Sequence, residues 1–377
     1  MKKIMLTTAM VSVLTTAAIA QTSVTGQLRI SYSDISGDKG LAYTNTASTT
    51  KDTAYGFGSE QQINIQNKGK LPAFGLDYAA GFAIENDGTQ AGSSGVVATL
   101  FNENVYIDLI NASSGTTISF GQDHIQRSDT DFSATNLVGF SPNELSQMNS
   151  TTNAGTRFKQ NIGAAPGQHF GAAVLQKTPF GTFSYNYAPN IGSGAETTNG
   201  SVGTSETVNP NTTSAYEVGF VGDLSVKGLT VHYFQNKADD FVTAANEVKA
   251  EAKNYGAKYN FGQVTVGVNK KVHQAETTNT LKTSTQAGST VANQSTAEHT
   301  EKAIAAAYAV NKDLTVGLLY AKAEQNGMAV EQKVKAINIG YALGPIAVDV
   351  GYGKNSDGLG LAGNDSDHFI ARMITNF

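Results

Sequence analysis

Apolar and polar residues alternate with a period of two from one end of the chain to the other. Over residues 24–32, Val24, Gly26, Leu28, Ile30 and Tyr32 share one face, and Thr25, Gln27, Arg29 and Ser31 share the other. Phe74, Leu76, Tyr78, Ala80, Phe82 and Ile84 repeat the pattern, as do Leu314, Val316, Leu318 and Tyr320, and Ile346, Val348, Val350 and Tyr352. At the end, Phe369, Ala371, Met373, Thr375 and Phe377 stand opposite His368, Arg372 and Asn376. Successive side chains of a strand point to opposite faces, so this is the period of half-buried strands. Past the first twenty residues no helical period is sustained, and the fold class expected is all-β.

Sixteen strands can be placed: near 22–34, 56–66, 73–85, 102–110, 116–122, within 154–177, 182–189, 215–222, 229–235, 251–259, 264–272, 300–309, 314–323, 331–341, 346–353 and 367–377. The connections alternate in kind. Short ones (67–72, 111–115, 178–181, 223–228, 260–263, 310–313, 342–345) take turns with mostly long, polar ones (35–55, 86–101, 123–153, 190–214, 236–250, 273–299, 324–330, 354–366). An antiparallel up-and-down barrel in a membrane sorts its connections this way, with tight turns on one rim and long loops on the other. A soluble sandwich has no reason to do so. Strand twelve (AIAAAY, 303–308) is too rich in alanine to orient. Lys333 and Lys335 share parity with Ile337 and Ile339 and are expected to face outward.

In hydrocarbon an open sheet edge leaves backbone groups unsatisfied, so such a sheet must close, its last strand pairing with its first. Arg29 and Arg372 then face the same interior. Sixteen strands enclose a space too wide for side chains to fill, which leaves a water-filled channel. The polar faces agree: Gln62, Asn64 and Gln66; Asn254 and Lys258; Thr265, Asn269 and Lys271. Tyr259, Phe261, Tyr341 and Phe377, near strand ends, suit an interfacial girdle.

Composition narrows the compartment and the chemistry. Lys2 and Lys3, an apolar and small-residue stretch, and Ala18-Ile19-Ala20 read as a signal peptide over residues 1–20, cleaved after Ala20, with residues 21–377 as the barrel domain. Losing Lys2 and Lys3 takes the 26 basic residues to 24 against 31 acids, which argues against nucleic acid as a partner. There is no cysteine, hence no disulfide and no thiolate chemistry. The six histidines lack metal-ligand spacing, and no GxSxG or phosphate-binding glycine loop stands in a suitable context. NSDGLGLAGNDSD (355–367) has the look of an acidic calcium loop but occurs once, so an ordinary polar loop is the better reading. No cofactor is expected.

VTGQLRISY (24–32), GTTISFGQD (115–123), TPFGTFSYNYAP (178–189) and the closing strand to Phe377 resemble the general porins of Gram-negative bacteria. The resemblance spans the chain after residue 20 and implies a homotrimer of sixteen-stranded barrels in the outer membrane. It implies lipid and lipopolysaccharide around the barrel, and delivery to the barrel-assembly machinery through the strand ending in Phe377. It further implies a long third loop folded into the lumen, with acids on the loop facing bases on the wall. Carried onto this sequence, the loop is about 123–153, and the constriction set is Asp129, Asp131 and Glu144 against Arg29 and Arg372, with Arg127 and Arg157 flanking. The family often has Gly-Arg-Gln at the end of strand five, where this chain has Gly121-Gln122-Asp123; FSPNEL (140–145) replaces the enteric Pro-Glu-Phe-Gly-Gly.

Three functions follow as expectations. The first is a diffusion porin for small hydrophilic solutes and ions with a weak cation preference, suggested by the acidic balance and by Glu60, Asp77, Asp108, Glu217 and Asp349 on lumen parity. The second is a channel selective for a sugar or an anion. No aromatic row of lumen parity supports the sugar, and Lys253, Lys258 and Lys271 only hint at an anion ladder. The third is an adhesin or enzyme barrel, for which parity assembles no Ser, His and Asn or Asp set.

Overall fold

The computed structural model describes residues 21–37, 52–89, 100–122, 133–146, 158, 166, 169–189, 214–243, 246–276, 298–325, 329–360 and 362–377. The strands are β1 (Gln21–Gly37), β2 (Asp52–Leu71), β3 (Leu76–Thr89), β4 (Leu100–Asn111), β5 (Thr116–Gln122), β6 (Gly171–Thr178), β7 (Gly181–Ala188) and β8 (Ala215–Gly222). They continue with β9 (Leu229–Thr243), β10 (Asn246–Asn260), β11 (Val264–Glu276), β12 (His299–Ala309), β13 (Leu314–Gln325), β14 (Gln332–Leu343), β15 (Ile346–Ser356) and β16 (Ser366–Asn376). Each pairs antiparallel with its sequence neighbours, and β1 pairs with β16, so sixteen strands form one closed barrel without an edge. Closure satisfies the backbone in hydrocarbon, and the alternating side chains supply a surface for each side.

The two faces divide as the period demands. Ile63, Ile107, Val268, Leu318, Ile337 and Met373 lie exposed on the outer face, Leu318 at 61%. Asn186, Glu217, Asn254, Gln332 and Asn338 lie buried on the inner one. Inner side chains satisfy one another in short ladders. Asn269 donates to Asn254 at 3.1 Å, and Gln332 donates to Asn355, which donates to Ser366 at 3.1 Å.

Several elements differ from the sequence expectation. Within the expected loop 236–250, residues 236–243 and 246–250 are strand, because β9 runs on to Thr243 and β10 starts at Asn246. The third strand begins at Leu76, after a 3-10 turn over Pro72–Phe74 whose cap, Gly75, takes a left-handed φ of 63°. The uncertain sixth strand is Gly171–Thr178. Strand twelve acquires an orientation: Ile304 and Tyr308 point outward, while Ala305 and Ala307 are buried inside. Lys253 lies outside rather than in the lumen, since it shares the face of Tyr255 and pairs with Glu251 at 2.9 Å. The acidic turn after β15 uses its carboxylates internally: Asp365 accepts the Asp357 N–H at 3.0 Å and Asp357 accepts the Gly363 N–H at 2.8 Å.

Candidate functional site: a capped turn pinned to the polar wall

Residues 133–146, between β5 and β6, rest against the polar face of β11–β16. The tip folds locally for reasons visible in Ser141-Pro142-Asn143-Glu144. Ser141 is the N-cap of a one-turn helix, α1 (Pro142–Leu145), and Pro142 occupies the first turn, where its missing N–H costs nothing. Ser141 Oγ accepts the Glu144 N–H at 3.3 Å, and Glu144 Oε2 accepts the Ser141 N–H at 2.8 Å. This reciprocal capping box satisfies two donors that a helix start leaves open.

The other oxygen of the same carboxylate, Glu144 Oε1, accepts from Arg372 Nη1 at 3.0 Å. Arg372 Nη2 donates to Asp349 Oδ2 at 3.2 Å and to the Gly139 carbonyl at 2.8 Å. The guanidinium also lies over the Phe140 ring, 4.4 Å from its centroid. One planar cation thus binds two carboxylates, one carbonyl and one aromatic face, which the fixed fork of arginine allows and a lysine would not. Asn338 donates to the Phe140 carbonyl at 3.0 Å, and Asn269 accepts the Ala134 N–H at 3.2 Å.

The wall beneath is shaped for this segment. Phe140, Leu145 and Phe158 pack with Ala305, Leu319, Ala321, Ala323 and Val334, a small apolar core set into an otherwise polar surface. Glycines stand where the segment approaches closest. A Cβ on Gly267 would overlap the Ala134 carbonyl oxygen, and one on Gly351 would come within 2.6 Å of the Phe140 ring. Toward the short turns, Asn136 and Leu137 border an open space of about 370 Å³ lined also by Thr230, Lys258, Thr265 and Thr315.

Of the sequence-derived constriction residues, the structure brings Glu144 and Arg372 into contact. Arg29 sits on the inner face of β1, ion-paired with Glu60 of β2. In the β1–β16 ladder Arg29 is opposite Ile374 and Ser31 is opposite Arg372, so the two arginines are diagonal neighbours on one wall. Asp129, Asp131, Arg127 and Arg157 lie outside the described residues. Sequence reasoning named Asp349 only as a lumen acid and missed it as the second partner of Arg372. It also missed the glycine and alanine bed, whose only signal was the alanine run of strand twelve. Among the described residues, no group of His, Cys, Asp and Glu is placed to hold a metal ion.

A closed antiparallel barrel, apolar outside and polar within, with a loop segment fixed to its polar wall, defines a membrane channel protein of the porin class. The family model for Gram-negative porins matches residues 7–358, and the chain belongs to that family. Solved structures of similar fold include the anion-selective porin from Comamonas acidovorans, at 14% identity and a TM-score of 0.62, covering 95% of this chain and 100% of that one. OmpF of Salmonella typhi in complex with daunomycin matches at 12% identity and a TM-score of 0.59, covering 95% and 98%. A trimer form of OmpT from Vibrio cholerae matches at 14% and 0.58, covering 95% and 99%. No curated protein matches the chain in sequence. At these identities the likeness speaks for the fold alone.

Proposed function

We propose that this protein is an outer-membrane porin through which small hydrophilic solutes and ions diffuse passively, with a weak preference for cations. The observation that carries the reading is the attachment of residues 133–146, by Arg372, Asn338 and Asn269, to one side of a polar barrel interior. A loop held there narrows the lumen without filling it. The constriction is then formed by Glu144, Asp129 and Asp131 on the loop, by Arg29 and Arg372 on the wall, and by Arg127 and Arg157 at the loop flanks. A solute crossing lipid must shed its water at great cost, and a wide polar lumen removes that cost. No reaction and no cofactor are involved.

The cation preference rests on compensation. Arg372 is matched by two carboxylates and Arg29 by one, so neither arginine offers an anion a free partner. In this reading residues 1–20 are removed after Ala20, the barrel-assembly machinery engages the strand ending in Phe377, lipopolysaccharide surrounds the long-loop rim, and three copies associate. The trimer form of the Vibrio cholerae relative supports the last of these.

Reconstitution of the purified chain in planar bilayers tests this. Large conductance rising in groups of three steps is expected, and electrical silence overturns the channel reading. In a salt gradient the reversal potential should report a modest cation preference that falls in D129N/D131N. A reversal potential of anion sign would instead favour an anion-selective channel, the kind named for the Comamonas acidovorans relative.

A further inference from the structure

Lys258 is a lumen base that no carboxylate answers. Arg29 and Arg372 are each bound to acids, whereas Lys258 makes no ion pair and no hydrogen bond among the described residues. It stands on the inner face of β10 near the short-turn rim, opposite Thr230 of β9 and Gly267 of β11. Gly267 is where the Ala134 carbonyl comes closest to the wall, so the lysine lies beside the fixed segment. Next to it opens the space of about 370 Å³ between that segment and the short turns.

The lining of that space is rich in donors and holds no aspartate or glutamate. The hydroxyls of Thr230 and Thr315 make no hydrogen bond among the described residues. Thr265 Oγ1 accepts from Asn260 Nδ2 at 2.9 Å, which leaves its own O–H to donate elsewhere. Asn136 borders the space from the segment and is exposed. Leu137, Ala307 and Ala309 add an apolar edge. One cation with no second base matches a single negative charge. The hydroxyls and amide around it match a hydroxylated remainder, and the apolar edge matches its C–H groups. A chloride ion would use the lysine and leave the other donors unmet. A neutral sugar would use the donors and leave the lysine unmatched.

We propose that this space is a binding site for a small organic anion with one carboxylate and several hydroxyl groups, a sugar acid. Its carboxylate sits on Lys258 and its hydroxyls on Thr230, Thr265, Thr315 and Asn136. The inference deepens the porin reading above by naming a solute class, and it rests on that reading for access from the short-turn rim. A weak cation preference is compatible with it. Charge preference is set at the constriction, where both arginines are compensated, and retention is set beyond it, where Lys258 is not. An occupant touches the wall and the fixed segment together, so it is held beside the bore and partly obstructs the current.

Saturation-transfer NMR of D-gluconate with the full chain in detergent tests this. Sorbitol has the hydroxyls without the charge, and acetate has the charge without the hydroxyls. Each should bind wild type about tenfold more weakly than gluconate does. K258Q should weaken gluconate about tenfold and leave sorbitol as it was. T230V/T315V should weaken gluconate several-fold and leave acetate as it was. K312Q removes a charge from an exposed short turn at the same rim and should bind gluconate as wild type does. Equal binding of gluconate and sorbitol, undiminished binding in K258Q, or equal loss in K312Q overturns the proposal. If K258Q does not fold, the three solutes on wild type and on T230V/T315V decide, and equal binding of gluconate and acetate overturns it. Bilayer conductance separates this outcome from the porin reading. An electrically silent chain overturns the porin reading whatever it binds. A conducting chain whose current gluconate does not reduce in a saturable way overturns the proposal alone.

Discussion

Phe377 closes the barrel on Gly26. Its backbone exchanges two hydrogen bonds with Gly26, at 2.8 and 3.0 Å, and its ring lies where a Gly26 side chain would stand. The glycine is therefore a seat for the last aromatic ring, and the seam between first and last strand depends on its lack of a Cβ. Gly26→Leu should lower the yield of folded barrel, read as loss of the heat-resistant, fast-migrating band on a gel. Gln27→Leu, one residue along and on the other face, should not. Equal folding of G26L and wild type would show that the seam does not need the seat.

Arg372 neutralises two carboxylates, so removing it changes charge as well as shape. Arg372→Gln should raise the cation-to-anion permeability ratio several-fold, because Glu144 and Asp349 remain. The reversal potential in a tenfold salt gradient measures it, and a shift toward anions contradicts the assignment.

Ser141→Ala removes the cap of α1 while leaving both ionic groups. A lost N-cap typically costs about 1 kcal/mol. The expected signature is faster backbone hydrogen exchange confined to residues near 141–146 and noisier open-channel current, with selectivity unchanged.

Gly267→Val places a branched side chain where the Ala134 carbonyl now lies. The segment must lift from the wall, and single-channel conductance should increase, with larger sugars admitted in liposome-swelling assays. A conductance equal to wild type would mean that residues 133–146 do not set the bore.

Glu331, just before β14, accepts a hydrogen bond from Lys322, which holds its carboxyl below the ordinary value of 4.5. A carboxyl depressed in the folded state contributes stability above its unfolded value and loses it as pH falls through the folded one. The outer-face network should therefore stay intact at neutral pH and weaken only below about 4.5. NMR titration of Glu331 checks this, and Lys322→Gln should bring its midpoint back up toward that of a free carboxylate.

The sixteen strands were legible because lipid demands an apolar face of every one, and Ile63, Leu318 and Met373 mark that face directly. Beyond the hydrocarbon the demand ends. The stretch 236–250 therefore reads as loop, although the β9–β10 ladder runs on to Thr243 and resumes at Asn246. Lys253 was misread as a lumen base despite sharing parity with Tyr255; parity was the better guide. Arg372 and Glu144 were each visible as candidates, through the resemblance to porins. Their bond was not, because it joins positions 228 residues apart whose meeting depends on closure and on the path of a loop. The glycine bed left no trace, since a glycine signals nothing until a neighbour occupies its space.

Glu144 divides its carboxylate, one oxygen finishing a helix and the other clasping Arg372. In the proposed constriction, calibre and ionic taste consequently share a single hinge pin. A substitution of Glu144 that retunes which ions pass would also loosen the aperture they pass through, so at this residue the two can drift only together.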